Sequence, residues 1–597
     1  MGSSIQRGVC LAVAVAAAAC ADLALTPDRV PAALEIAPRD TLVTAGDPAR
    51  LTLHVFDQEG YPMVGAPSWA PPVWTVSDPR ALVIAPNGDL DAMRGGALGV
   101  NASVAGLETK TGLRINPRSV RLAAPVIYLN QAIQNPEASV PLIAGREALL
   151  RVFVAGDQVS FYRPHVRATF YLDGEVVRSE KIGPESEVLS DSVEEGRLDR
   201  SYEALVPREL VRPGLELVVD LDTEGAVPQS TGSETRIPAV GRTRLNVVEM
   251  PVLDQTFVPT LLTRTPDERV FDWTRDLNPE SPQLQMTRTL LPVGDMQVTV
   301  HDTYETDADL TTPGGWDQYL REIRALRSME GGRGYYYGVV QLPEGSVWGG
   351  VGYIGYPVSV GRPRADTYAH ELGHNTSLRH APCGDALGTD PRFPYEGGSS
   401  GMWGYDFERG MLVDPAQYRD FMGYCTPDWV SDYHFIKSMQ YRLDEESTEP
   451  ESGRLEKTLM LWGSASSEGM LLEPAFMIEA AADVPGDGGP YRLEGFGQGG
   501  ELRFAFGFAP DPVEHGGAHF LFDVPYDPER DGLLARVVLS GPGGEFVLNP
   551  SGTPPMAIIR DRDTGQVRAI RRDWEGLARL GGDVEIMVSD GLPGGVR

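Results

Sequence analysis

The sequence predicts a multidomain, β-rich protein in which one mixed α/β block is flanked by β-sandwich domains, and three observations carry that expectation. A chain of 597 residues exceeds what a single hydrophobic core supports and should divide into about four domains of ordinary size. Its 67 Gly and 48 Pro mark many turns between short strands. Hydrophobic periodicity also changes along the chain, from strand-like alternation to helical spacing and back again.

Composition narrows the function classes. With 42% hydrophobic and 23% charged residues the chain reads as folded, soluble protein. A formal net charge of -32 and the lack of any Lys/Arg run argue against a nucleic-acid partner, because such a surface repels phosphates. The acidity itself reads as a solvated, self-repelling surface.

The first element, residues 1–20, places Arg7 ahead of an apolar run to Ala19 that is too short to span a bilayer permanently, which is the pattern of an export signal. Ala17, Ala18 and Ala19 before Cys20 resemble the lipobox of bacterial lipoproteins, which implies acylation at Cys20 and a lipid anchor. Ordinary cleavage after an Ala-x-Ala site, releasing a soluble protein, is the competing reading; both send the chain out of the cytoplasm.

From 32 to 118 short alternating segments such as "ARLTLHVFD", with Leu51, Leu53 and Val55 on one face, predict a small β-sandwich. The series through "VWTVSDPRALVIAPNGDLDA" resembles bacterial Ig-like domains, which implies that Trp74 packs the core. Residues 119–250 form a second β-rich block, with strands in "ALLRVFVAG", "VRATFYLDGEVV" and "LELVVDLD". Over 251–445 the pattern turns α/β: "GWDQYLREIRALRSM" sets Trp316, Leu320, Ile323 and Leu326 at helical spacing before the strand-like "YYYGVVQL". Residues 454–597 return to strands, as in "ELRFAFGF", and are expected to form a C-terminal β-sandwich domain.

The α/β block holds "HELGHNTSLRH", which gathers three of the chain's 9 histidines. On a helix His370 and His374 lie one turn apart on one face and can reach one ion. Glu371, rotated by about a third of a turn, stands beside them without being a ligand, where a general base belongs. Imidazole ligands suit zinc, and three protein ligands, His380 being the third, leave one position open. A polar helix with satisfied histidines is the bland alternative.

With its His-Glu-x-x-His-x-x-x-x-x-His spacing the segment resembles the metzincin metalloproteases. Ser377 replaces the glycine usual where the metzincin helix stops; if that position is left-handed, a Cβ there costs roughly 1 kcal/mol. The resemblance implies a Met-turn, for which "YRDFMGYC" offers Met422, and a zinc-side tyrosine, for which Tyr424 stands at the right offset. Each has an ordinary rival, a core methionine and a buried structural tyrosine. "GGVGYIGYPVSVG" resembles the edge strand of a metzincin cleft, its glycines admitting a substrate backbone; an interior strand with a bulge is the rival.

A metzincin-like catalytic domain between β-sandwiches implies an exported, cell-surface or secreted zinc endopeptidase, with Zn2+ as cofactor and Glu371 as general base. Secreted bacterial proteases with accessory β-domains resemble this layout, which implies a protein or glycoprotein substrate. The non-enzymatic alternative is a surface adhesion or glycoprotein-binding protein. If export consumes Cys10 and Cys20, Cys383 and Cys425 remain as one pair in an oxidising compartment, and a disulfide is expected. Separate thiols, or Cys383 as a fourth zinc ligand, are the alternatives. The sequence is silent on oligomeric state.

Overall fold

The structure is a computed structural model that describes residues 29–63, 71–446, 455–467, 469–486, 488–576 and 582–593. The export signal at 1–20, with Cys20, lies outside the described residues. The chain divides into two compact units, Met1–Val120 with Asp157–Tyr162, and Arg121–Gly156 with Arg163–Arg597. Both are β-rich. No helix of the described residues is long and apolar enough to cross a membrane.

The first unit is built from short ladders, antiparallel except where Thr41–Thr44 runs parallel to Leu113–Asn116, the longest pairing Gly96–Val104 with Leu107–Asn116. Its core gathers Ile36, Leu51, Leu82, Val100 and Ile115, with Leu53 and Trp74 partly buried against it. Thr52 and His54 between them are exposed, the alternation that a half-buried strand produces.

In the second unit, residues 122–244 form two antiparallel sheets; in the three-stranded one Ala148–Gly156, buried along its whole length, is the middle strand. The mixed core follows. Its strands are β1 (Leu253–Leu262), β2 (Met296–Val300), β3 (Tyr304–Thr306), β4 (Tyr335–Val340), β5 (Gly350–Gly352) and β6 (Val358–Gly361). Its longer helices are α1 (Pro313–Met329), α2 (Ala365–Asn375) and α3 (Asp432–Glu445). β1 runs parallel to β4 on one side and to β2 and β3 on the other. β4 runs parallel to β6, and β5 turns back antiparallel to β6 at the sheet's end.

α1 starts where Thr312 Oγ1 accepts the Gly315 N–H at 3.2 Å, with Pro313 in the first turn, both normal helix-start chemistry. Trp316, Leu320, Ile323 and Leu326 are all buried, so the face expected from their spacing is the face that packs on the sheet.

Residues 454–597, expected as one separate sandwich, do not stay together. Residues 455–548 supply two antiparallel sheets whose facing sides, including Leu459, Leu461, Phe506, Phe522 and Leu539, form one core. The strands Met556–Asp561, Val567–Arg571 and Val584–Ser589 instead extend the central sheet beyond β3, giving nine strands. Ile558, Val567 and Ile570 bury against Trp316, Leu320 and Ile323 of α1, which is the apolar face those strands need.

Candidate metal centre

α2 carries the first two histidines. Its start is marked by Asp366, whose Oδ1 accepts the Thr367 N–H at 2.7 Å near the positive end of the helix. Its far end is fixed by Asn375, which donates to Tyr353 O and Val358 O at 3.1 and 2.9 Å and accepts from Ser359 Oγ, bolting the helix to the β5–β6 turn.

The helix stops in a Schellman motif. Leu378 N–H reaches Gly373 O at 3.1 Å and Ser377 N–H reaches His374 O at 2.8 Å, with Ser377 left-handed at φ 68°. The serine thus occupies the backbone state that glycine serves more cheaply, and it still turns the chain toward His380.

Each imidazole is oriented through Nδ1. His370 Nδ1 lies 2.9 Å from Phe421 O, His374 Nδ1 lies 2.9 Å from Leu378 O, and His380 Nδ1 lies against Leu387 O. A carbonyl oxygen only accepts, so each Nδ1 carries the hydrogen and each Nε2 presents a lone pair. These three Nε2 atoms converge: His374 Nε2 is 3.2 Å from those of both His370 and His380. Burial, then the neighbouring His374, pushes His370 down to about 3, so it is neutral at ordinary pH. Three lone pairs at that spacing repel unless a cation lies among them. Tetrahedral zinc with Zn–N of about 2.0–2.1 Å sets its ligands about 3.3 Å apart, which the three rings fit.

The loop bearing His380 is braced by the segment carrying the other expected residues. Ala381 N–H donates to Met422 O, and Tyr424 N–H to Cys383 O, both at 3.0 Å. Cys383 and Cys425 form a disulfide with Cα atoms 5.7 Å apart, so Cys383 is neither a free thiol nor a ligand. Met422 is fully buried beneath the helix; a Cβ on Gly373 would fall 2.4 Å from its sulfur. Asp420 holds that segment, accepting from the N–H groups of Met422 and Ser431 and from His434 Nδ1. Tyr424 is 48% exposed, yet its hydroxyl comes within 3.2 Å of His380 Nε2. Burial, with Glu514 and Glu371 nearby, pushes that hydroxyl up, so it remains a proton donor.

Glu371 is buried and its Oε2 makes no hydrogen bond. Burial, then the charge of Glu514, raises its carboxyl well above the usual range, the direction a proton-shuttling base requires. A Cβ on Gly350 would lie 2.4 Å from Glu371 Oε1, and one on Gly352 3.2 Å from its Oε2. Gly350 and Gly352, among the glycines expected to admit a substrate backbone, leave room for this carboxylate.

Sequence reasoning missed Glu514. It stands with His370, His374 and His380 in one group whose donor atoms all lie within 4.8 Å of one another. Its Oε2 sits against His374 Nε2 and 3.5 Å from His380 Nε2. The only local signal is "VEHGGAH", a Glu-His pair at a Gly-Gly turn far downstream of the motif. Beside the cluster opens a cleft of about 540 Å3, lined by Trp348, Gly350, Glu371, Tyr424, Glu514 and His515 among others.

Among solved structures, the S-layer protein rSbsC(31-844) aligns at 14% identity over 38% of this chain and 30% of its own, with a TM-score of 0.16. The chain therefore spans under a third of that protein's length. The titin Ig tandem domains A164-A165 align at 11% identity over 36% of this chain and 97% of their own, with a TM-score of 0.18. No curated protein matches the sequence. The model of the family described as Peptidase M66 does match, over residues 315–438, so the block holding the three histidines, Glu371, Met422 and Tyr424 is similar to a peptidase.

Proposed function

We propose that the protein is an exported, zinc-dependent endopeptidase of metzincin type acting on extracellular proteins. The observation that carries this is the convergence of three Nε2 lone pairs, each fixed through a backbone carbonyl, next to the buried carboxylate of Glu371, whose Oε2 makes no hydrogen bond. The peptidase-family match over the same residues supports it. Zinc, when held by His370, His374 and His380, supplies Lewis acidity to water and to the scissile carbonyl.

The rest of the chemistry belongs to the chain. Glu371 takes a proton from the attacking water and returns it to the leaving amine; burial and the neighbouring Glu514 raise its affinity for that proton. Tyr424, with its hydroxyl beside His380, donates to the oxygen that gains charge during attack. Export is supported by the apolar segment before Cys20 and by a disulfide next to the site, since disulfides persist outside the cytoplasm. A surface lipoprotein and a freely secreted form remain the two versions of that proposal. A glycoprotein substrate rests on the resemblance of the domain layout.

One observation favours a second reading: Glu514 makes the donor set four, as in closed structural zinc sites. That reading leaves Glu371 without a task. Metal analysis with a peptide-cleavage assay on wild type and Glu371→Ala separates the two. The peptidase reading expects cleavage to fall by about 10²–10⁴-fold with zinc retained. Equal cleavage by both proteins, or none by either when zinc is bound, refutes it.

A further inference from the structure

Glu514 reaches the histidines on a hairpin tip. The hairpin's arms, Asp511–Pro512 and Ala518–Pro525, pair antiparallel, and Gly516 and Gly517, at φ 105° and 80°, turn between them. The second arm is rooted in the sandwich, where it pairs along Leu455–Ser466. The tip lies along the outer edge of β5. Ile354 N–H donates to Pro512 O at 2.9 Å, Glu514 N–H donates to Gly352 O at 3.2 Å, and Tyr353 bridges Val513 antiparallel. These are the main-chain groups that an extended peptide adding to this edge would use. The next residue, His515, stacks on Trp348 with centroids 4.3 Å apart, covering the neighbouring stretch of cleft.

The side chain completes the picture. Glu514 Oε1 takes the Gly352 N–H at 3.2 Å, and its side chain is 1% exposed. Its Oε2 faces imidazole nitrogens yet makes no hydrogen bond, as expected if those nitrogens carry no hydrogen. A buried carboxylate oxygen among three lone pairs is strongly unfavourable without a cation. With one, it is a fourth ligand.

We propose that Glu514 is a fourth protein ligand to the ion held by His370, His374 and His380, delivered by a hairpin tip that occupies the cleft edge, so that the site is closed until substrate displaces the tip. Four protein donors leave a tetrahedral ion no position for water, whereas three do. The releasable part is the stretch from Glu514 to Gly517, which few hydrogen bonds and one ring stack hold, while Val513 before it is buried in the core and the hairpin's root is anchored in the sandwich. The displacement step rests on the peptidase reading; the ligand assignment does not.

The test compares wild type with Glu514→Gln, which keeps the side chain's shape. Zinc affinity, read by chelator competition, should fall at least about tenfold in the variant, and amide exchange at Gly352 and Ile354 should quicken. Peptide cleavage should rise several-fold in zinc-saturated variant. In wild type alone, adding zinc should slow amide exchange across residues 513–517, a readout that survives even if the variant folds poorly. Unchanged zinc affinity together with zinc-independent exchange of the tip overturns the proposal. Weaker zinc binding with no cleavage by either protein supports the ligand and refutes the peptidase reading with its displacement step.

Discussion

Ser377 shows how one backbone angle can be read against one side chain. At φ 68° it sits where a Cβ costs roughly 1–2 kcal/mol, partly offset by the freedom that a glycine would bring to the unfolded chain. Ser377→Gly is expected to stabilise the second unit by about 1 kcal/mol, seen as a higher denaturation midpoint at unchanged slope. Asp390 makes a second test. Its N–H donates to His380 O, and its carboxylate takes Lys437 Nζ, Tyr433 Oη and the Arg392 N–H. Against burial, which raises it, these partners bring its carboxyl down to about 2. A group depressed on folding contributes stability above its unfolded value, near 4, and loses it as pH falls toward 2. Asp390→Asn should therefore cost about 2 kcal/mol at pH 7 and little at pH 2, measured by chemical denaturation at both. His370, His374 and Glu371 were legible in sequence because helical spacing puts i and i+4 on one face, and His380 because it completes the motif's spacing. Glu514 was not, because its approach depends on a hairpin docking across the cleft, and no local period encodes that.

At the scale of elements, the site is two loops tied together beneath a helix. The disulfide closes a sequence separation of 42, for which chain entropy gives about 4 kcal/mol. Cys383→Ser/Cys425→Ser is expected to lower the melting temperature and hasten zinc loss to a chelator, since the paired loops carry His380 and Met422. Full stability in that double variant would show the bridge to be idle. Helix and loop also meet at Gly373, where a methyl would land 2.4 Å from the Met422 sulfur. Gly373→Ala should cost about 1–3 kcal/mol by overpacking, despite alanine's better helix propensity, and a thermal melt decides the sign. Periodicity found α1 and α2. It marked Gly350 and Gly352 as places of close approach without saying to what, since an absent side chain says only that something comes close, and Glu371 is one such neighbour.

The whole second unit is held together by long-range pairing. β3 pairs with a strand some 260 residues later, Glu305 opposite Ala569. Alternation identified the late segments as strands without saying which sheet they join, because a strand's pattern reports two faces and not its neighbour. Truncation after 550 should remove three strands of the nine-stranded sheet and uncover Trp316, Leu320 and Ile323. The expected result is loss of soluble, cooperatively melting protein, not a trimmed molecule with an intact cleft; a truncated chain melting like the full one would contradict it.

That sheet also sets a timetable. Synthesis runs from the N-terminus, and contacts between distant segments must wait for the later one to emerge. The three histidines and Glu371 leave the ribosome well before Met556–Ser589, yet the sheet beneath them lacks those strands until then. Glu514, on its hairpin, also arrives after the histidines and before the sheet is finished. The molecule therefore acquires its stopper before its scaffold, and a half-made chain has no interval in which a completed cleft stands open.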